Sequence, residues 1–421
     1  MFLVGYVFQT PGEYGAHEQN RSKAKTFLWF KRTKLVNVVI SVQCQSNNLY
    51  QKPIYFFTLC YHLADLMYMF ATENIKINEM EHETKQNPVS EIAFDLGTVN
   101  SIVAGGGNIL VDKPSWLGIE MGSKPPKICC KWDKAMNMKG RSIPSIEIIQ
   151  PMKNDSMLYN SVELLVMELA LEAQKKCIIS AETKIGIGIP LDFTYGDRLV
   201  FREAFKNLGY NDVYLIPSVF AVAIARGLNV NNVRGKMIID IGGEKTQIAV
   251  ICMGGLVSSK SIPIGGETLT AAIQEGLRIN HDIKVSDYTA EEIKRISGTA
   301  LSDMKNPQAE HIVFGPHTGT DEQIQATLSP NEIAEWLNEP LTKIENALSN
   351  VLERVPPELF NDFSVDGIYL SGGGSMLYGL AERLSRKTKI KVKLVDNNYS
   401  VAQGVEMALK NIQENQFIIK L

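Results

Sequence analysis

Cysteine is scarce in this chain and placed without pattern. The six residues, Cys44, Cys60, Cys129, Cys130, Cys177 and Cys252, have no metal-ligand spacing, and adjacent Cys129 and Cys130 are not a C-x-x-C. A disulfide scaffold and a zinc module are excluded, and a reduced, cytosolic chain is expected. An excess of one charge is missing too: the net charge is −3 over 421 residues, so no broad basic field argues for nucleic acid. Long apolar runs are nearly absent. The exception, residues 53–71, is 19 residues long and contains His62 and Asp65. Its length suits a bilayer, but a central carboxylate costs about 2.5–3.5 kcal/mol there, and no small-residue cleavage site is evident. Two readings of residues 1–88 stay open: an extension with a membrane segment, or a loosely organised extension belonging to an over-long start, since Met80 lies just before the first organised strand.

What is present begins at residue 91. The stretch EIAFDLGTVNS (91–101) has a partner, KMIIDIGGEKTQIA (236–249), with Asp95 and Asp240 standing 145 positions apart. In each, an apolar run ends in Asp-[Leu/Ile]-Gly, turns, and continues into a second extended run. Such a strand delivers one carboxylate to its tip, and the glycines let backbone amides face an anion. Two such hairpins face to face make a phosphate clamp, with a carboxylate from each side to hold a metal through water.

The surrounding pattern repeats as well. Strands are expected at 92–94, 101–104 and 108–111, then a helix at 161–175, a strand at 184–189, a helix at 195–208, a strand at 213–216 and a helix at 219–226. The second half offers strands at 237–239, 246–252 and 256–264, and helices at 268–277 and 289–297, with Thr289 as cap. A long helix at 331–354 follows, with Ser329 and Pro330 at its start, then strands at 367–370 and 392–395 and a closing helix at 401–411. The fold class is α/β, with two duplicated domains around a cleft. The expected division is 1–88 as an extension, 89–235 plus 399–421 as the first domain, and 236–398 as the second.

Three turns in order, DLGT, DIGG and SGGG (371–374), resemble the two phosphate motifs and the adenosine motif of the actin, sugar kinase and heat-shock ATPase superfamily, whose domains are ribonuclease H-like. The finer resemblance is to the MreB family of bacterial actins. It is carried by GRSIPSIEIIQPMKND from Gly140, VYLIPSVFAVAIARGL from Val213, TAEEIK from Thr289, PPELFNDFSVDGIYLSGGGSMLYGL from Pro356 and the closing VAQGVEMAL, and it covers about residues 90–412. It implies an ATP and Mg2+ site. Asp95 and Asp240 would orient the metal's waters. Gly97, Thr98, Val99, Asn100, Gly242, Gly243 and Glu244 would lie along the phosphates. Glu292 and Lys294 would contact the nucleotide, and Gly372, Gly373 and Gly374 would admit the adenosine.

The chain departs from the family pattern at catalytic positions. The family's Glu-Glu-Pro is replaced around Ile216, Pro217, Ser218 and Val219, so the water-positioning acid falls on Ser218, a much weaker base. The second phosphate turn ends Glu244, Lys245, Thr246 where the family has Gly-Thr-Thr, with Thr246 on a catalytic position. A carboxylate about 4 Å from a phosphate oxygen costs on the order of 4 kcal/mol at an effective dielectric of about 20, unless Lys245 offsets it or Glu244 turns to solvent. The family's ribose-side glutamate is Ile296 here.

The expected function is therefore an ATP-dependent, filament-forming bacterial actin that maintains cell shape by positioning wall synthesis, with ATP hydrolysis weakened. Its implied partners are other copies of itself, inner-membrane lipid and the membrane proteins of cell-wall elongation, which place it in the cytoplasm, peripheral at the inner membrane. The run Lys175, Lys176, Cys177, Ile178, Ile179 matches the family's membrane-touching loop; a buried strand start is the other reading of it. An actin-like filament for plasmid or organelle positioning shares every motif. A small-molecule kinase needs a catalytic acid, for which Asp192 and Asp197 are the available residues. A chaperone ATPase lacks the length for a substrate-binding domain after the third motif.

Overall fold

The computed structural model describes residues 25–29, 39–43, 88–123, 126–153, 159–303, 308–320, 322–395 and 398–421. The chain divides into two compact units, Met1–Lys85 and Gln86–Leu421. In the first, strands Lys25–Trp29 and Val39–Gln43 pair antiparallel; the apolar run at 53–71 and Met80 lie outside the described residues. Among the described residues no helix is long and apolar enough to cross a membrane. The four described cysteines are free thiols.

Two sheets organise the second unit. Strands Glu91–Leu96, Asn100–Gly105 and Asn108–Pro114 form an antiparallel meander, and Lys184–Ile189 then Val213–Pro217 join parallel on the far side of Glu91–Leu96. Strands Lys236–Ile241, Thr246–Cys252 and Gly255–Ile262 repeat the meander, with Ile368–Ser371 and Val392–Leu394 parallel beyond Lys236–Ile241. Both sheets thus run third, second, first, fourth, fifth in their own strand order, and the duplication expected from the motifs is a property of the sheets.

Some elements differ from the sequence expectation. A sixth strand, Ile419–Lys420, adds antiparallel to Val213–Pro217, where the chain was expected to finish in a helix. A three-stranded sheet of Leu117–Glu120, Ile128–Lys131 and Ile146–Ile149 lies between the strand expected at 108–111 and the helix expected at 161–175; it was not expected, because four-residue strands are too short for their alternation to register. Ser286, not Thr289, caps helix Asp287–Ser297: its hydroxyl accepts the Thr289 N–H at 3.2 Å. Ser329 caps Pro330–Leu352 as expected.

Alternation along the two central strands decides what faces what. Ile92, Phe94 and Leu96 point to the outer core of the first sheet, whereas Ala93 points to a layer shared with the second sheet. Likewise Met237, Ile239 and Ile241 point outward and Ile238 inward. Asp95 and Asp240 follow Ala93 and Ile238 by two residues, so both fall on the inner faces, just past the shared apolar layer. That layer contains helix Ser218–Ala225, apolar all round and buried from Ser218 to Ala223, as a helix enclosed on every side must be. It also contains Val401, Ala402, Val405, Ala408 and Leu409 of helix Ser400–Leu409.

These two helices cross at Gly404. A Cβ there would lie 1.8 Å from the Ala221 carbonyl oxygen, a backbone atom on a helix with no room to retreat. Gly404→Ala should therefore lower stability by about 1–3 kcal/mol, the usual cost of overpacking, measured as the denaturant midpoint. An unchanged midpoint would contradict so close a crossing.

Candidate functional site

The two aspartates stand at the carboxyl ends of the central strands, where open α/β sheets bind ligands. Both line a cleft of about 1930 Å³, together with both glycine turns, Ser218, Lys294 and the Gly372, Gly373, Gly374 turn. Asp240 is buried and Asp95 half-buried. Burial, with the Asp240 carboxylate adding to it, pushes the Asp95 carboxyl up to about 7. Burial alone pushes Asp240 up to about 6.

The first turn is pinned from behind. Ser115 donates its hydroxyl to the Gly97 carbonyl at 2.6 Å and its N–H to the Val99 carbonyl at 2.8 Å. Gln150 donates Nε2 to the Thr98 carbonyl at 3.1 Å. With three successive carbonyls engaged, amides are what the turn has left to present to an anion. In the second turn, the carbonyls of Gly242 and Gly243 accept the N–H groups of Gly266 (2.9 Å) and Glu267 (2.8 Å), at the start of helix Gly266–Asn280. The two tips touch: a Cβ on Gly243 would lie 2.4 Å from Val99 Cγ2 and 2.8 Å from Thr98 Oγ1. At the third turn Gly372 has φ 85°, and a Cβ would lie 2.3 Å from the Ile241 carbonyl oxygen and 2.7 Å from Asp240 Oδ1. Only glycine satisfies both demands there.

The departures from the family pattern have definite structural positions. Ser218 is buried at the start of its helix, and its hydroxyl donates to the Ile189 carbonyl at 3.0 Å. Thr246 does not line the cleft: it is fully buried and donates to the Ile264 carbonyl at 2.6 Å, on the opposite face of its strand from Gln247. Glu244 lines the cleft. Lys245 reaches across it to Asp192, Nζ to Oδ2 2.9 Å. Glu292 is exposed and outside the cleft, whereas Glu291 lines it. Helical spacing explains the shift: Ala290 and Ile293 turn into the core, which places Glu291 and Lys294 together. Lys294 contacts Glu291 Oε2 at 2.5 Å, the Gly266 carbonyl at 2.8 Å and Thr270 Oγ1 at 3.0 Å. Ile296 is exposed.

Both candidates for a kinase's catalytic acid are occupied. Asp197 forms a capping box with Thr194 at the start of helix Tyr195–Asn207, and Asp192 pairs with Lys245.

Sequence reasoning missed Gln247, Ser115, Gln150, Lys153 and Glu267. Gln247 sits directly opposite Asp240 in the antiparallel pair, so counting register outward from the turn would have found it. Its Oε1 accepts the Leu191 N–H at 2.6 Å. Glu267 accepts from Gln150 Nε2 at 3.2 Å and pairs with Lys153 Nζ at 3.1 Å, contacts between distant segments that no local pattern announces.

Comparison with known proteins follows the same frame. The MreB/Mbl protein family matches residues 89–417. The cell shape-determining protein MreB of Escherichia coli (strain K12) is 32% identical over 328 residues, covering 77% of this chain and 94% of that protein. The cell shape-determining protein Mbl of Bacillus subtilis (strain 168) is 29% identical, covering 77% and 97%. The crystal structure of MreB5 of Spiroplasma citri bound to AMPPNP superposes with a TM-score of 0.71 at 23% identity, covering 77% of this chain and 97% of that one.

The paired carboxyls give a pH dependence. Both titrate above their ordinary value of 3.8, so between about pH 4 and 7 the folded protein holds protons the unfolded one has released, and stability falls as pH rises through that window. In chelator and without nucleotide, Asp95→Asn should unfold at a higher temperature than the parent near pH 8 and at a similar one at or below about pH 4. Parallel curves for the two proteins would contradict the raised Asp95 carboxyl.

Proposed function

The chain belongs to the MreB/Mbl family, and from that membership we propose that it is an actin-like filament subunit that determines cell shape, binding ATP between one domain of residues 89–235 plus 399–421 and another of residues 236–398. Relatives in E. coli and B. subtilis carry the cell-shape name, and the S. citri relative has been seen with AMPPNP and with ADP. The observation that carries the reading is the pair of Asp-bearing turns, one from each sheet, closing on a single cleft. In it, the amides near Gly97, Thr98, Val99, Asn100, Gly242 and Gly243 hold phosphates. Gly372, Gly373 and Gly374 make room for adenosine, and Glu291 with Lys294, rather than Glu292, lies on the sugar side.

Asp95 and Asp240 fit a divalent cation. Two facing carboxyls held above their ordinary range return to the ionised form beside a metal. No cluster of three or more His, Cys, Asp or Glu that could hold a metal exists among the described residues. A cation held by two carboxylates and otherwise by water and phosphate suits Mg2+, which keeps several of its waters. When bound, it neutralises phosphate charge.

Hydrolysis is weak in this proposal. A carboxylate base is missing at residue 218, and the hydroxyl in its place already donates to the Ile189 carbonyl. The filament lies along the inner membrane, in contact with lipid and with the membrane proteins of wall elongation. The contact surface we favour is Leu171 and Ile178, both about half exposed (48% and 47%), beside exposed Lys175 and Lys176. Ile179 instead packs inward against the core, so the surface differs from the run expected from sequence.

Electron microscopy and sedimentation, with and without ATP and on anionic vesicles, test assembly; a protein that stays monomeric throughout contradicts the filament reading. Phosphate release should be slow. Ser218→Glu with Glu244→Gly should raise it at least about tenfold, a modest share of what a general base contributes, and each single change should do less. Release from the parent as fast as from relatives with the intact motif would overturn the weak-hydrolysis claim. Leu171→Ser with Ile178→Ser should abolish vesicle binding; binding that persists removes this surface from the account.

A further inference from the structure

Several contacts cross the cleft between protein groups alone. Lys245 Nζ meets Asp192 Oδ2 at 2.9 Å. The Leu191 N–H donates to Gln247 Oε1 at 2.6 Å. Glu267 receives Gln150 and Lys153, and Lys139 pairs with Asp287. In every case the first-sheet half supplies one member and the second-sheet half the other. The first two contacts form a unit: Asp192 follows Leu191 in the loop after strand Lys184–Ile189, and Lys245 and Gln247 flank Thr246 at the start of strand Thr246–Cys252. Gln247 is buried, 7% exposed, and the Lys245 side chain is 21% exposed. Asp192, Lys245 and Gln247 line the cleft together with Ser218, whose hydroxyl donates to the Ile189 carbonyl two residues before Leu191.

We propose that Lys245 with Asp192, and Gln247 with the Leu191 backbone, form a clasp that holds the two halves together, so that closure is set by the chain itself and not by the terminal phosphate of a bound nucleotide. The proposal rests on the nucleotide-cleft reading only for what the clasp replaces. On that reading a terminal phosphate is the part of a nucleotide that both glycine turns would touch at once, and it would draw the halves together only to the extent that it binds the closed form better than the open one. A lysine planted in one turn and bonded to an acid of the other half supplies that attraction permanently. Where the closed form already dominates, a ligand has little population left to shift. The resemblance puts threonine at residue 245, which lacks the charge and the reach to pair with Asp192, so the clasp is a property of this chain. Both members are partly exposed, and the clasp should therefore loosen as salt rises.

Hydrogen exchange on the full chain, followed in peptides spanning 188–194 and 242–248, tests this without nucleotide, with ADP and with AMPPNP. In the parent, exchange should change less than about twofold across the three conditions. Lys245→Thr and Asp192→Asn should each raise exchange without nucleotide about tenfold, as a local opening becomes populated, and AMPPNP should bring it back. The charge-reversed pair, Asp192→Lys with Lys245→Asp, should return close to the parent, which a general packing defect would not do. Three results overturn the clasp: a parent that slows as much on AMPPNP as the single variants, single variants that exchange like the parent, or a reversed pair that exchanges like the single variants. If AMPPNP changes none of the proteins while the nucleotide-free series holds, the clasp stands and the nucleotide-cleft reading falls.

Discussion

Everything at the cleft depends on two like charges brought to the same place. Period-two alternation puts Asp95 behind Ala93 and Asp240 behind Ile238, so the carboxylates emerge on facing sheets at the edge of one shared apolar layer. Neither can retreat: Ile92, Phe94 and Leu96 on one strand and Met237, Ile239 and Ile241 on the other are committed to outer cores, and a slip of one residue would reverse every side chain. Burial holds the protons of Asp95 and Asp240 up to about 7 and about 6, with the Asp240 carboxylate adding to the effect at Asp95. A site so unfavourable to bare anions is favourable to a cation with an anionic ligand, and the surrounding glycine turns supply amides for the latter.

The two turns are built alike but supported differently. The first is backed by Ser115 and Gln150, which occupy its carbonyls, and its sequence keeps the family form. The second is backed by the start of helix Gly266–Asn280 and carries Glu244 and Lys245 in place of smaller residues. The clamp suggested by the duplicated sequence is therefore symmetric in backbone and asymmetric in chemistry. Lys245 is bonded across the cleft to Asp192.

Much of this was legible in the residues, for physical reasons that can be named. The central strands, the three glycine turns and the aspartates could be read because each is a local pattern: an apolar run, a turn residue and a polar tip within a dozen positions. The cap of helix Asp287–Ser297 was read three residues late, at Thr289 where the structure has Ser286. Thr246 was placed at the cleft because it ends the turn, yet the strand that begins there points it at Ile264. Glu292 was named without reference to which helix face is buried, and Glu291 is the one that lines the cleft. The sheet Leu117–Glu120, Ile128–Lys131 and Ile146–Ile149 and the final strand Ile419–Lys420 are too short to show a period. Contacts such as Lys153 with Glu267 or Leu191 with Gln247 join segments 114 and 56 residues apart, and only the folded chain brings them together.

The departures also make sense together in the proposed reading. In a filament subunit with full hydrolysis, the state of the nucleotide reports age, and the report reaches the neighbours because closure of the cleft depends on the terminal phosphate. Weakening the cutting step while leaving closure under nucleotide control would strand the subunit in one state for long periods. Weakening closure control while leaving hydrolysis intact would spend nucleotide without mechanical effect. On the proposals above, Ser218, with its hydroxyl held by Ile189, and Lys245, held by Asp192, would act on these two links of the same chain of events. Both are anchored to the segment that follows strand Lys184–Ile189 or ends it. A single short stretch, Ile189 to Asp192, thus receives both altered residues, so on the proposed reading one place in the fold would bear on both the chemical and the conformational step.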